Sequence, residues 1–210
     1  DLELPETVDL PPRDTDAPPL FHRDGRLNVN AGHIDVESGD DEHVITVTGG
    51  LVIDYLGTNG SDDWNELMLT ARRAVIFTDP IDLDDLDALQ LEVEHVRGVY
   101  LEGDVVAVAD GGSYIVRSPK VFYDFVTGRA IMVDAILRTV ELPTKNAVYL
   151  RADAMRQTAA NAWTANGARV STSEFHEPHL ALGADRVTIT QQREGGDDDR
   201  PGELVTHVVS

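Results

Sequence analysis

The chain has 210 residues and a formal net charge of −21, with 38 acidic against 17 basic side chains, 41% hydrophobic and 6% aromatic content, and no cysteine. So acidic a chain repels a phosphate backbone and an anionic bilayer alike, which argues against a nucleic-acid partner and against simple membrane adsorption. No run approaches the roughly 18 apolar residues of a membrane helix, and the aliphatic content is enough for one long β domain or two small ones.

Residues 1–24 hold Pro5, Pro11, Pro12, Pro18 and Pro19 among acidic side chains without periodicity, which predicts an extended arm or linker. The opening Asp1-Leu2-Glu3-Leu4-Pro5 carries no basic region and no apolar signal core, so an exported protein would be represented here by a mature form or an excised domain. Alternation begins near Leu27. Residues 33–54 read as three strands parted by turns at Gly39-Asp40-Asp41 and Gly49-Gly50, and a strand over 67–78 follows a loop at 59–63. Asp79-Pro80 is a helix start signal, and Leu83, Leu86 and Leu89 fall at three-residue spacing behind an acidic first turn, so one short helical insertion is expected at 79–89. Beyond it, 99–102 and 105–109 flank Gly103-Asp104, a bulge or a bend within one long strand. Asp110-Gly111-Gly112 signals a hairpin, and strands follow at 114–123, 130–139, 148–157, 162–165, 169–172 and 180–190. Residues 191–202 read as a polar loop, and 204–209 could form one more strand. The domain proper is expected over 25–190, nearly all β and antiparallel.

Within these strands one phrase recurs five times: apolar–x–small–x–x–apolar–x–(apolar or Gln). Its copies are Val29-x-Ala31-x-x-Ile34-x-Val36, Leu69-x-Ala71-x-x-Ala74-x-Ile76, Val116-x-Ser118-x-x-Val121-x-Tyr123, Leu150-x-Ala152-x-x-Met155-x-Gln157 and Leu182-x-Ala184-x-x-Val187-x-Ile189. Strict alternation would swap faces after the small residue. The extra residue keeps the apolar set on one side, so each strand must bend or bulge there. Stacked, such strands make a V-shaped sheet with a continuous aliphatic interior. Its lining is expected to comprise Val29, Ile34, Leu69, Ile76, Val116, Val121, Tyr123, Leu150, Met155, Leu182, Val187 and Ile189, with Tyr123 and Met155 as the foremost acyl contacts. Two readings follow. Either the interior is a core closed by its own side chains, or it stays partly open and holds an acyl chain, each buried methylene contributing roughly 0.8 kcal/mol.

Val99-Tyr-Leu-Glu-Gly-Asp-Val105, the bent strand ending Phe122-Tyr123-Asp124 and Thr127-Gly128-Arg129-Ala130 resemble the OstA-like repeat of lipopolysaccharide transport proteins. Val148-Tyr-Leu-Arg-Ala-Asp153, followed by the stretch from Gly167 to Asp185, resembles within that superfamily the N-terminal periplasmic domain of the LPS-assembly protein LptD. The resemblance covers about residues 27–190. It implies a β-taco or incomplete β-jelly roll in the periplasm, associated with the outer membrane. Such a domain shields lipopolysaccharide or a related lipid without catalysis or cofactor, stacks on other OstA-like domains by strand edges, and delivers to an outer-membrane β-barrel. The chain departs from that pattern in three ways. Ser173-Glu174 stands where such proteins often carry Cys, the insertion near 79–90 is not part of the repeat, and no barrel sequence follows, so the periplasmic part alone or a barrel-less relative is expected.

Other patterns carry less chemistry. His176-Glu177-Pro178-His179 places two imidazoles and a carboxylate together but lacks the convergence of a zinc site. Asp197-Asp198-Asp199 and Asp82-Leu83-Asp84-Asp85 do not follow a calcium-loop spacing, so no metal is expected. Gly111-Gly112-Ser113 is no phosphate loop. Trp64 and Trp163 lie beside turns, as groove caps or hairpin packing rather than sugar platforms. The rival functions are a structural β-solenoid or adhesin-like surface protein, and a carbohydrate-binding β-sandwich.

Overall fold

The computed structural model describes residues 19–57, 66–81, 89–109, 112, 114–141, 146–175, 180–194 and 203–209. Twelve strands form one antiparallel sheet: β1 (Arg26–Ser38), β2 (His43–Leu56), β3 (Glu66–Ala71), β4 (Arg73–Thr78), β5 (Leu89–Glu92), β6 (Val96–Ala109), β7 (Tyr114–Asp124), β8 (Arg129–Glu141), β9 (Asn146–Ala159), β10 (Ala162–Ser171), β11 (Leu182–Glu194) and β12 (Glu203–Val209). The order is serial, β12-β11-β10-β9-β8-β7-β6-β3-β2-β1-β5, with β4 lying between β2 and β6 beyond the end of β3. β3 and β4 are the two halves of one strand interrupted at Arg72.

Every long strand except β12 bends about its middle, and the bends align into a single crease. The first leaf holds residues 26–31, 51–56, 66–71, 105–109, 114–118, 135–141, 146–152, 168–171 and 182–184, with β5 at its edge. The second leaf holds 33–38, 43–48, 73–78, 96–102, 120–124, 129–133, 154–159, 162–166 and 186–194, with β12 at its edge. The result is an all-β taco, folded once along the crease.

Two chemistries turn the corner. The five strands that carry the repeated phrase spend one extra residue, at Gly32, Arg72, Pro119, Asp153 and Asp185, none of which has a left-handed backbone. Their antiparallel neighbours turn through left-handed residues instead: Gly49 and Gly50 (φ 82° and 88°), Gly103 and Asp104 (85° and 50°), Asp134 (47°) and Gly167 (60°). Glycine has no Cβ to clash there, and Asp is among the few other residues that tolerate the region. Gly49-Gly50 and Asn166-Gly167 are therefore bends inside continuous strands, not the strand boundaries that their composition suggests. The ladder survives the crease, because the Gly50 N–H donates to Arg72 O and the Arg72 N–H to Gly103 O, both at 3.0 Å. Ser118 Oγ lies 2.6 Å from Val133 O and 2.7 Å from Lys120 O, which ties its bend to β8.

Three further expectations need correction. The arm does not end as a free linker, since Leu20 and Phe21 are buried in the core. Residues 191–194 belong to β11, and Gln191 is buried rather than in a polar loop. The expected helical insertion falls mainly on residues 82–88, outside the described residues. Leu89 is already strand, because residues 89–92 pair with Arg26–Val29 of β1, and a 3₁₀ turn at Val93–His95 leads into β6.

Candidate functional site

The space between the leaves is a wedge, and small side chains gather along the first leaf's side of the crease. In the row next to the crease the first leaf presents mostly small side chains, Ala31, Ala71, Ser118, Ala135, Ala152, Ala168 and Ala184, interrupted by Leu51 and Val105. The row next to the crease on the second leaf is larger, with Val47, Leu101, Val121, Met132, Met155 and Val187 beside Ala74 and Ala165, and one alternation further out on the first leaf stand Val29, Leu69, Val116, Leu137 and Leu150. Of the twelve lining residues expected from sequence, Val29, Leu69, Ile76, Val116, Val121, Tyr123, Leu150, Met155, Val187 and Ile189 are buried on this one interior face, and Ile34 is partly buried against the same cluster. Leu182 is the exception, 74% exposed. It pairs with Val170 at the end of the first leaf, and β12 extends only the second leaf, from Thr188 onward. Among the described residues, no strand of the opposite leaf covers it.

The leaves meet, and their own side chains fill the wedge as one hydrophobic cluster. The mouth, opposite the crease, is built differently. Phe21 inserts there from the arm, stacked on Phe125 at 4.0 Å and edge-on to Tyr55 (5.1 Å) in the first leaf and Tyr123 (5.5 Å) in the second. The His22 N–H donates to Tyr55 Oη at 2.8 Å and fixes the arm in place. Further along, Tyr114 of the first leaf meets Trp163 of the second edge-to-face at 4.8 Å, and Gln157 Nε2 donates to Tyr114 Oη at 3.0 Å. Gln191 Nε2 donates to Thr139 Oγ1 across the same gap.

This seam is incompletely satisfied. Tyr123 Oη, Trp163 Nε1, Gln157 Oε1 and Gln191 Oε1 are buried with no hydrogen-bond partner among the described residues. Buried polar atoms are nearly always paired, and each orphan costs free energy. Burial, and then the neighbouring Tyr114, hold the Tyr123 phenol well above its ordinary pKa of 10.0. The mouth is thus closed by a few directional contacts that leave donors and acceptors over.

Sequence reasoning found the lining and, in Tyr123 and Trp163, part of the seam, but not Phe21 or Gln191. Gln157 occupies an apolar position of the fourth phrase copy, and a lone amide in an apolar register was the available signal. Trp163 is 1% exposed, which removes it as a sugar-stacking platform. Trp64, the His176–His179 cluster and the two acidic runs lie outside the described residues. At the surface, Glu92, Glu94 and His95 bring three ligand-type atoms within 4.8 Å of one another, and His95 Nε2 stands 3.7 Å from Glu94 Oε1 as an ion pair would.

The sheet is open at both ends among the described residues, where β5 and β12 each pair with one neighbour only. Residues 33–38 of β1 pair only with β2, since β5 covers only 26–29, and residues 182–187 of β11 pair only with β10. No helix of the described residues is long and apolar enough to cross a membrane. No family model matches the chain, and no curated protein matches it.

Proposed function

We propose that this chain is a non-catalytic lipid carrier of the periplasm. It would shield the acyl chains of lipopolysaccharide or a related lipid between its leaves and pass them toward the outer membrane. The observation that carries the reading is the aliphatic face that runs unbroken across the taco behind a mouth held by few contacts. An acyl chain enters by parting the leaves at the mouth and replaces side chain–side chain contacts with side chain–methylene contacts, at about 0.8 kcal/mol for each methylene taken from water. The orphaned amides and the Trp163 indole then face the ester, amide and hydroxyl groups where the acyl chains join their head group. The likeness of residues 99–105, 122–124, 127–130, 148–153 and 167–185 to OstA-like lipopolysaccharide transport proteins supports the same reading. The unpaired edges at 33–38 and 182–187 suit strand addition by a second OstA-like domain or by an outer-membrane barrel.

Photoreactive residues at positions 116, 121 and 155 test this. Crosslinks to lipopolysaccharide from all three are expected, and they should vanish when Thr139→Cys and Gln191→Cys are bridged by a short dithiol linker. The absence of cysteine makes that bridge specific. With folding intact, Val121→Asp should weaken capture more than Lys120→Asp, because Val121 faces the wedge and Lys120 faces solvent. A second reading draws on the filled interior: a structural or adhesin-like β protein whose repeats pack solid. Failure to crosslink at all three positions, with folding intact, would establish it in place of the first.

A further inference from the structure

The outer face of the first leaf holds an electrostatic anomaly. Arg151 is 92% buried there, being 8% exposed. Its Nη1 and Nη2 donate to the carbonyl oxygens of Ser173 (3.3 Å) and Glu174 (2.7 Å), its guanidinium lies 5.6 Å from the centre of the Tyr149 ring, and its Nε has no partner. No carboxylate neutralises it among the described residues. A buried charge without a counter-charge is costly and ordinarily avoided. Several other cations of this acidic chain are paired: Arg72 with Asp104, Arg73 and Lys120 with Glu102, and Arg97 with Asp79 and Glu42.

Arg151 is not alone. It stands opposite Ile136 on one side, Arg117 stands opposite Ile136 on the other, and Arg138 follows two residues along the same strand. Strand spacing puts the backbones of Arg117 and Arg151 about 10 Å apart, within joint reach of one small anion. None of the three makes an ion pair among the described residues. They line a hollow of about 430 Å³ together with Ile115, Ile136, Tyr149, Phe175 and Glu174. Glu174 offsets one charge and leaves two positive charges over. Phe175 is 69% exposed, an aromatic ring held in water beside the cations.

We propose that this hollow binds the phosphate group of a phosphorylated amphiphile. The guanidinium forks of Arg117, Arg138 and Arg151 take the phosphate oxygens, an arrangement suited to a doubly charged tetrahedral anion. Ile115, Ile136, Tyr149 and Phe175 take the apolar body. The site lies outside the wedge and does not depend on what the wedge holds.

Calorimetric titration of the whole chain with short-chain phosphatidic acid below its micelle concentration, with inorganic phosphate, and with short-chain phosphatidylcholine tests it. Phosphatidic acid should bind, weaken with added salt, and lose about tenfold or more in affinity in the Arg117→Gln/Arg138→Gln variant. Inorganic phosphate should bind the same site more weakly, and phosphatidylcholine more weakly than phosphatidic acid. Arg186→Gln, on the opposite outer face, should leave phosphatidic acid binding unchanged. The proposal is overturned if phosphatidic acid does not bind, binds the double variant as tightly, or binds no better than phosphatidylcholine. Equal affinity for inorganic phosphate and phosphatidic acid would overturn the amphiphile and leave a plain phosphate site.

Discussion

Tyr123 illustrates how a side chain can be well packed and poorly satisfied at once. Its ring is fully buried against Phe21, yet its hydroxyl has no partner among the described residues. Tyr123→Phe removes only the orphaned group and should stabilise the chain by about 1 kcal/mol, measured by urea denaturation at pH 7. The phenol pKa is raised on folding, so the native state holds its proton more tightly than the unfolded state. That contribution is complete below about pH 10 and is lost as pH rises through the folded value. Tyr123→Phe should therefore also resist alkaline unfolding better than the parent. Glycines offer a matched contrast. Gly167 has φ 60°, and a Cβ there would run into the Asp153 carboxylate, whereas a Cβ on Gly183 would meet nothing within 4 Å. Gly167→Ala should cost about 1–2 kcal/mol and Gly183→Ala close to none, by the same measurement. The sequence marked Gly167 as a break but could not tell a bend within a strand from the end of one, since both need the same backbone.

The repeated phrase was legible because it appears on alternate strands in the same direction and solves the crease by insertion. Strands β2, β6, β8 and β10 run the other way and solve it with left-handed residues, so they share no common spelling. β3 and β4 read as one strand and behave as one. What escaped was long-range: Leu20 and Phe21 look like the tail of a Pro-rich arm, and only the aromatic gap at the mouth between Tyr55 and Tyr123 gives them a place. Phe21→Ala should cost about 3 kcal/mol and reduce the near-ultraviolet circular dichroism of the aromatic cluster, whereas a solvent-exposed linker residue would change neither. The same limit hid Gln191 in an apparent loop, for its partner Thr139 lies 52 residues away.

For the molecule as a whole, fold class and lining were readable because they rest on local alternation, while the closure of the mouth and the arginine hollow depend on which strands end up side by side. The outermost ladders carry the fewest cross-strand bonds. Native-state hydrogen exchange should find the amides of β5 and β12 opening first and those of β6 to β9 last. Uniform protection across all strands would contradict this ordering.

The serial strand order has an architectural corollary. Apart from the short excursion of β5 back to β1, each strand leans on its immediate predecessor and successor, so a hairpin could be added or deleted while most other neighbours stayed the same. Each added hairpin would lengthen the enclosed apolar volume by two strand spacings, roughly 10 Å. Capacity, on this plan, is a quantity that lineages could adjust by duplication alone, with the crease and its small residues as the template for every new segment.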